Sequence, residues 1–458
     1  LKTAVNSCLS ETPDGSCPSF AASGGGGNSY GAMNEWDTGQ VTDMSGMFQG
    51  AIAFNADISE WDTSQVTTMS AMFSGAESFN QPLTFNTEQV TTMSDMFQGA
   101  TAFNQPLTFT DTSQVTDMQS MFFGAESFNQ PLTFNTEQVT TMSYMFLNAE
   151  SFNQSLTFNT SQVTTMRSMF NGARAFNQPL TFNTEQVTDM YAMFSGATSF
   201  NQPLTFNTEQ VTTMSYMFLN AESFNQSLTF NTSQVTYMGG MFIGATAFNQ
   251  PLTFNTEQVT TMSYMFHEAT AFNQPLTFNT EKVTDMHAMF AGAAAFNQPL
   301  TFNTEQVTEM SAMFFNARAF NQSLTFNTEQ VMDMSNMFEG AGAFNADISE
   351  WDTSQVTDMS GMFQGAIAFN ADISEWDTSQ VTTMQAMFAG TTAFNQPLTF
   401  NTEKVTNMAG MFAVTEAFNQ PLTFDTSQVN DMQAMFWGAT AFNQPLTFNT
   451  AQVTDMSG

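Results

Sequence analysis

Basic residues are almost missing from this chain of 458 residues, which has six lysines and arginines against 41 aspartates and glutamates. The resulting net charge of −35 at pH 7 opposes binding to nucleic acids and to anionic membrane surfaces. Charged residues of both signs make up 10% of the sequence, against about 25% in ordinary soluble domains. Asn, Gln, Ser and Thr must therefore supply most of the polar surface.

Long apolar runs, histidine and cysteine are also scarce. No apolar run approaches the roughly 20 residues that a membrane-spanning helix needs, so we expect no membrane insertion in this segment. The sequence shows no nucleophile constellation, phosphate-binding glycine loop or metal-ligand spacing. We therefore predict that the chain is not an enzyme. Its two histidines, His267 and His287, are expected at the surface and pointing in different directions.

What the sequence has in abundance is repetition. The dipeptide Phe-Asn, directly preceded by Ala or Ser, occurs 17 times between Phe54 and Phe442, always at an interval of 24 or 25 residues. Between these dipeptides runs Val-Thr-x-Met-x-x-Met-Phe, and a typical unit reads FNQPLTFNTEQVTTMSDMFQGATA. A fixed period of this length predicts a repeat solenoid.

Each unit contains two patterns of local structure. Apolar and polar residues alternate in the Leu-Thr-Phe segment at 83–85, which predicts a short strand. Val90, Met93, Met96 and Phe97 would share one face of a short helical segment. We predict one short parallel β-strand plus one short helical segment per coil of 24 or 25 residues. Since one unit cannot bury its own apolar face, coils must stack, which places Phe over Phe in three columns. We also predict a ladder of Asn side chains between coils, and Met residues that fill the core rather than bind copper.

The repeat resembles one in a known group of proteins. The string V-T-x-M-x-x-M-F-x-x-A-x-x-F-N-Q-x-L is similar to the repeat of about 25 residues in bacterial and mycoplasma surface proteins, which is related to BspA-like leucine-rich repeats and also occurs in protists and algae. The resemblance covers residues 34–458, and the family's Trp-Asp-Thr-Ser turn occurs at 61–64 and 376–379. Most other units have Phe-Asn-Thr there. The resemblance implies a leucine-rich-repeat-like solenoid, secreted or anchored at a cell surface, with no enzymatic activity.

The ends of the chain differ from the repeats. We predict an N-terminal disulfide-bearing cap and Gly-rich segment at 1–33, and a continuous solenoid of about 17 repeats at 34–458, ending within a repeat. Cys8 and Cys17 flank a Pro-Asp-Gly turn, which favours a disulfide in an oxidising compartment over two reduced thiols. The final residues show no polar cap, so we expect copies to associate head-to-tail or laterally, or the chain to continue beyond Gly458.

Three sets of residues are candidate sites. Two consecutive NADISEWD segments place carboxylates on adjacent coils, which predicts either a calcium site or a solvated acidic face; these are Asp347, Glu350, Asp352, Asp372, Glu375 and Asp377. Two sequons in a turn are candidate glycosylation sites, Asn159 and Asn231, whereas sequons within the Asn ladder are expected to be bare. Apolar residues at variable positions predict a partner surface made of Tyr144, Leu147, Tyr216, Leu219, Ile243 and Tyr264.

Two functions remain open from the sequence alone. The regular core and the absence of catalytic chemistry favour a secreted extracellular structural protein that forms or decorates a filament, stalk or surface coat. The alternative is a surface adhesin or binding module that recognises a protein or glycan. A minor alternative is ice binding by the threonine column of the Leu-Thr-Phe segments.

Overall fold

Helices are found at the N-terminus of the chain. The computed structural model describes residues 1–23 and 30–457, and the chain forms two compact units, Leu1–Asn231 and Thr232–Gly458. Unit 1 begins with helix α1 at Lys2–Glu11 and helix α2 at Pro18–Ala22, and a 3-10 helix follows at Met33–Glu35. Most of the Gly-rich segment in the sequence prediction, residues 24–29, lies outside the described residues.

The two N-terminal helices form a cap on the first coil. Cys8 in α1 and Cys17 just before α2 form the predicted disulfide, with their Cα atoms 5.1 Å apart. In the loop between the helices, Asp14 accepts a hydrogen bond through its carbonyl from the N–H of Asn55 in the first coil, at 3.2 Å. A Cβ on Gly15 would lie 2.9 Å from the ring of Phe54, so the loop packs closely on this core side chain. The N-terminal segment therefore covers the start of the core.

Within each unit, successive coils are joined along their backbones. Adjacent coils share one parallel β-bridge. After the bridged residue, every second N–H group of one coil donates to a carbonyl of the next coil. In the second coil these donors are Met69, Ala71, Phe73 and Gly75, with N–O distances of 3.2, 2.8, 2.8 and 2.6 Å. The same pattern recurs along both units, so each coil holds the following one through a row of backbone hydrogen bonds.

The bridged residue directly precedes the first Met of each Met-x-x-Met-Phe segment. In unit 1 the bridged column is Asp43, Thr68, Thr92, Asp117, Thr141, Thr165, Asp189 and Thr213. In unit 2 it begins at Tyr237 and continues through Thr261, Asp285, Glu309, Asp333, Asp358, Thr383, Asn407, Asp431 and Asp455. Among the described residues, the predicted strand position is bridged between Leu83 and Leu107 and between Leu300 and Leu324.

The predicted helical segment takes the form of successive turns. In the second coil, Met72 donates to the carbonyl of Met69 at 3.2 Å, and Ser74 donates to that of Ala71 at 3.1 Å. Between these turns Ala71 and Gly75 have φ values of 55° and 71°, in the left-handed region. Left-handed residues four positions apart prevent a continuous α-helix. The apolar residues nevertheless have the spacing expected for one face of a helix. The repeat solenoid is confirmed, and its helical and strand segments are shorter than predicted.

Aromatic rings stack along the core in the three predicted columns. In unit 1, Phe73 lies over Phe97 with ring centroids 5.4 Å apart, and it contacts Phe79 of its own coil at 4.1 Å. At the end of the Leu-Thr-Phe segment the column contains Trp in some coils, as in the Trp351–Trp376 pair of unit 2 at 6.4 Å. The Met residues of the repeat columns are buried up to Met435. The prediction that Met fills the core is therefore confirmed.

A ladder of Asn and Gln side chains runs beside the Phe columns. The Oδ1 atom of Asn80 accepts hydrogen bonds from the N–H of Asn104 at 3.0 Å and from Nε2 of Gln105 at 3.2 Å. The Oδ1 atom of Asn55 makes the equivalent bonds to the coil of Asn80. The ladder predicted for the invariant Asn is thus present, although it is partly exposed rather than buried.

Replacing Phe206 by Ala tests the stacked core of unit 1. Phe206 is 6% exposed, and its ring lies parallel to that of Phe230 at 6.5 Å. Because the substitution leaves a cavity among rings, we expect a loss of about 3 to 5 kcal/mol in local stability. Hydrogen exchange of the surrounding coils measures this loss. The adjacent exposed Thr205→Ala is the matched control, and equal exchange in the two variants would contradict the stacking model.

Reduction of the disulfide tests the cap. The bond between Cys8 and Cys17 closes a loop of about ten residues. In the chain-entropy model, breaking this bond lowers the free energy of unfolding by about 3 kcal/mol. We expect reductant to increase hydrogen exchange in the first coil around Phe54, and neither thiol to be alkylated before reduction. Exchange in unit 2 serves as the internal control. Alkylation of both thiols without reductant would disprove the bond.

Candidate functional site

The residues that differ from coil to coil lie together on one side of the Met-x-x-Met-Phe segment. Four positions per coil are concerned: the bridged residue, the two residues between the Met residues, and the residue after Met-Phe. In one coil they are Asp189, Tyr191, Ala192 and Ser195. We call these positions the variable face. Since the core columns leave little freedom of sequence, chemistry specific to this chain is concentrated on this face.

Four consecutive coils of unit 1 carry large polar side chains on the variable face. The Nε of Arg167 donates to the hydroxyl of Tyr144 at 3.0 Å, and its Nη1 donates to Oδ2 of Asp189 at 3.2 Å. The guanidinium carbon lies 3.9 Å from the centroid of the Tyr191 ring. Tyr191 in turn meets Tyr216 edge to face, with centroids 5.6 Å apart. We call this set of five residues the tyrosine-arginine row.

Electrostatics keep the arginine of this row charged. Burial works against the charge of Arg167, but the hydrogen bond and the charge of Asp189 outweigh it and raise the pKa of the guanidinium. Asp189 is itself fixed, because its Oδ1 accepts the N–H of Tyr191 at 2.8 Å. Arg167 and Asp189 therefore form a neutral ion pair that lies against the Tyr191 ring.

The structure places the predicted partner surface of unit 1 on the variable face. Tyr144, Leu147, Tyr216 and Leu219 are each partly exposed. Sequence reasoning missed Arg167, Asp189 and Tyr191, which connect the two tyrosines across the intervening coils. For Arg167 and Tyr191 the available signal was a departure from their column, which is Ser in most coils, whereas Asp is common in the column of Asp189.

In unit 2 the variable face brings the two histidines together. The ring of Tyr264 meets His267 of its own coil at 5.7 Å and His287 of the next coil at 4.8 Å, both edge to face. The prediction that the histidines point in different directions is wrong, because adjacent columns of adjacent coils share one surface. Ile243, the other predicted partner residue in unit 2, has a partly exposed side chain.

His267 is held in an unusual environment. Its Nδ1 is buried without a hydrogen-bond partner, and its Nε2 lies 3.8 Å from Oε1 of Glu268. Burial lowers the pKa of His267; Glu268 opposes this effect and His287 adds to it. His267 is therefore neutral over a wider pH range than an exposed histidine.

A serine and a glutamate complete the polar cluster around His287. The Oγ of Ser311 lies 2.6 Å from Nδ1 of His287 and donates to Oε1 of Glu309. The carboxylate thus holds the hydroxyl, and it is 3.9 Å from the imidazole. In a hydrolase triad the acid orients the imidazole and the imidazole accepts the serine proton. Here the serine hydroxyl donates to the carboxylate instead, so Ser311 stands between the acid and the imidazole. This arrangement is a polar surface network rather than a triad.

The six carboxylates of the calcium prediction do not form one group. Asp347, Asp372 and Glu375 line a surface depression of about 490 Å³, and Asp347 and Glu350 line a second one beside Trp351. Among the described residues, no group of three or more His, Cys, Asp or Glu side chains has an arrangement that holds a metal ion.

The aspartates in this set have local partners instead. The carboxylates of Asp347, Asp352, Asp372 and Asp377 each accept the N–H of the serine two residues later, at 2.9 to 3.0 Å. These bonds lower the pKa of Asp347 and of Asp377. The solvated acidic face agrees with this geometry, and calcium binding stays a prediction.

The two candidate glycosylation residues are exposed at turns. The Oδ1 of Asn159 accepts the N–H of Ser161 at 3.1 Å, and the carbonyl of Asn231 accepts the hydroxyl of Thr208 at 2.9 Å. By contrast, the Oδ1 of the sequon residue Asn153 accepts hydrogen bonds from the N–H of Asn177 and from Nε2 of Gln178 in the amide ladder. Glycosylation at Asn159 and Asn231 stays a prediction.

The stacked coils and their variable face define a tandem-repeat solenoid. No described helix is both long and apolar enough to cross a membrane. The family model described as "Mycoplasma protein of unknown function, DUF285" matches overlapping segments that together span residues 23–458. The chain belongs to this family.

Solved structures with leucine-rich repeats resemble the chain only distantly. A leucine-rich repeat protein from Bacteroides ovatus ATCC 8483 matches at 12% identity and a TM-score of 0.40, over 78% of this chain and 88% of that one. The TLR13–ssRNA13 complex matches at 8% identity and a TM-score of 0.22, over 89% and 68%. No curated protein sequence matches the chain.

The buried imidazole predicts a pH-dependent stability of the coil that contains Tyr264 and His267. The folded-state pKa of His267 lies below its ordinary value of 6.5, so the unfolded chain takes up the proton first. Local stability is therefore full above about pH 6.5 and falls as the pH decreases below that value. Hydrogen exchange of this coil between about pH 8 and pH 5 measures the fall.

Two substitutions separate the contributions of the histidines. His267→Leu should remove the fall, and Leu already occupies the column at Leu147 and Leu219. His287→Ser keeps the buried Nδ1 of His267 and should retain the fall. The same pH profile in the wild type and in His267→Leu would show that the buried imidazole is not responsible.

Proposed function

We propose that this chain is a secreted, non-catalytic repeat protein that forms or decorates an extracellular filament, stalk or surface coat. The observation that carries the proposal is the coil-to-coil connection within each unit, where every added coil contributes the same row of backbone bonds and the same stacked rings. Such a scaffold gains length by repetition without a new core. Family membership supports a repeat scaffold of this kind.

The cap and the surface support an extracellular location. A disulfide joins Cys8 to Cys17, and disulfides persist in oxidising compartments. The exposed sequons at Asn159 and Asn231 would be accessible to glycosylation on the secretory route. The charge of −35 keeps separate molecules from aggregating nonspecifically.

Self-association is part of this proposal. In unit 2, Leu446, Trp437 and Met456 are 43, 61 and 63% exposed, and with neighbouring residues they line a depression of about 250 Å³. Trp437 occupies the variable face, in a column that contains Gln at Gln49 and Gln98. A second copy that covers Trp437, head-to-tail or laterally, would bury this exposed apolar side chain.

Light scattering and electron microscopy of the 458-residue chain test the structural function. We expect concentration-dependent association into elongated particles, which Trp437→Gln should weaken by reducing the apolar contact. Gln occupies the same column at Gln49 and Gln98, so this variant should fold. A monomer at all concentrations, in the wild type as in the variant, would contradict self-association.

A second candidate function is recognition of a protein or glycan by the variable face. The tyrosine-arginine row favours it, since Tyr and Arg are the residue types that dominate binding energies at interfaces. A purely structural repeat has no need for these side chains at positions that are Ser or Ala elsewhere. Binding at this face is compatible with a surface coat, because the core columns and the variable face use different residues.

A further inference from the structure

Deepening the second candidate function, on which this inference rests, we propose that the tyrosine-arginine row of unit 1 binds a neutral oligosaccharide. The row consists of Tyr144, Arg167, Asp189, Tyr191 and Tyr216, which follow one another over four consecutive coils. Nowhere else on the described variable face does a basic side chain pack on one tyrosine ring and hydrogen-bond to the hydroxyl of another.

The row presents hydrogen-bond groups that are already oriented. Arg167 has five N–H groups, of which one is bonded to Tyr144 and one to Asp189, so three remain for a ligand. The guanidinium cannot turn away, because the Tyr191 ring lies against it at 3.9 Å. Its side chain is 38% exposed, and that of Asp189 is 27% exposed. A ligand with hydroxyl groups would therefore meet fixed donors and a fixed acceptor without paying to order them.

Charge argues for a neutral ligand. The positive charge of Arg167 is already balanced by Asp189, while the chain as a whole carries −35. An acidic saccharide or a nucleic acid would be repelled by that net charge. A cationic ligand would have to compete with Arg167 for Asp189. Hydroxyl groups can hydrogen-bond to both members of the pair without displacing either.

The size of the row argues for a small ligand. Tyr144, Tyr191 and Tyr216 are partly buried, so the four larger side chains expose at most about 400 Å² together, given that aromatic side chains have areas of about 150 to 250 Å². A stable protein interface needs about 800 Å² on each partner. The row suffices for a few sugar rings, whose C–H faces pack on tyrosine rings while their hydroxyls reach Arg167 and Asp189.

Titration calorimetry on the full chain tests the proposal with neutral hexasaccharides: laminarihexaose, cellohexaose, mannohexaose and xylohexaose. Hexagalacturonate is the anionic comparator. We expect at least one neutral hexasaccharide to bind and the anionic one not to bind. Tyr216→Ser and Arg167→Gln should each weaken binding by about tenfold or more. Both substitutions introduce residue types already present in their columns, at Ser168 and Gln119, so the coils should remain folded.

Tyr264→Ser is the matched control, because it makes the same change in the same column of unit 2 and should leave binding unchanged. The proposal is overturned if no neutral hexasaccharide binds, or if the control weakens binding as much as the row variants do. Binding of a protein ligand that is lost in Tyr216→Ser, without any saccharide binding, would keep the recognition function and reject the glycan. Preserved hydrogen exchange in unit 1 of the variants excludes unfolding as the cause of a loss.

Discussion

The backbone row between successive coils is the constraint on which the rest of each unit depends. For a coil to donate alternate N–H groups to the next coil, its peptide planes must alternate in orientation, and left-handed residues produce this alternation. The φ values at Ala71, Asp95 and Tyr144 are 55°, 57° and 61°. Such conformations cost about 1 to 2 kcal/mol each for residues other than Gly. Each coil offsets this cost with several backbone hydrogen bonds, worth about 1 kcal/mol each, and with buried rings.

This constraint explains where sequence freedom is found. The residue after Met-Phe is followed by a second left-handed position, which is Gly in most coils, and a Cβ on Gly75 would come within 3.4 Å of the backbone of Gly50. The core columns are equally restricted by stacking. The small residues of the variable face, such as Ala192 and Ser195, are buried, whereas the large ones, such as Tyr191 and Tyr216, are partly exposed, so this face holds Ser, Ala, Tyr, Arg or His beside the same core columns. Recognition residues can accumulate there without a loss of scaffold stability.

The sequence predicted the solenoid and its core because periodicity and burial are properties of the residue pattern. The stacked Phe columns, the buried Met and the amide ladder at Asn55 and Asn80 were all readable in this way. The turn geometry was not, since residues three apart share a face both in a helix and in successive turns. Whether Ala71 is right-handed or left-handed depends on hydrogen bonds to the next coil, which a local pattern does not contain.

The candidate site was predicted only in part for the same reason. Tyr144 and Tyr216 differ from their columns and were readable as surface residues. Their connection through Arg167 depends on contacts between residues 22 to 25 positions apart, and these exist only once coils stack. The same holds for His267 and His287, which occupy different columns and nevertheless meet on the ring of Tyr264.

Besides the Arg167–Asp189 ion pair, acidic residues contribute to the structure through local hydrogen bonds. Asp62 and Asp111 accept the N–H of the serine two positions later, and this bond lowers the pKa of each carboxyl. The depressed pKa means that this contribution is present above the ordinary value of 3.8 and is lost as the pH falls through the folded-state value. Burial of His267 acts in the same direction but at higher pH, below about 6.5. Both groups make stability rise with pH, so the strongly negative charge that repels acidic ligands coincides with the pH range in which the coils are most stable.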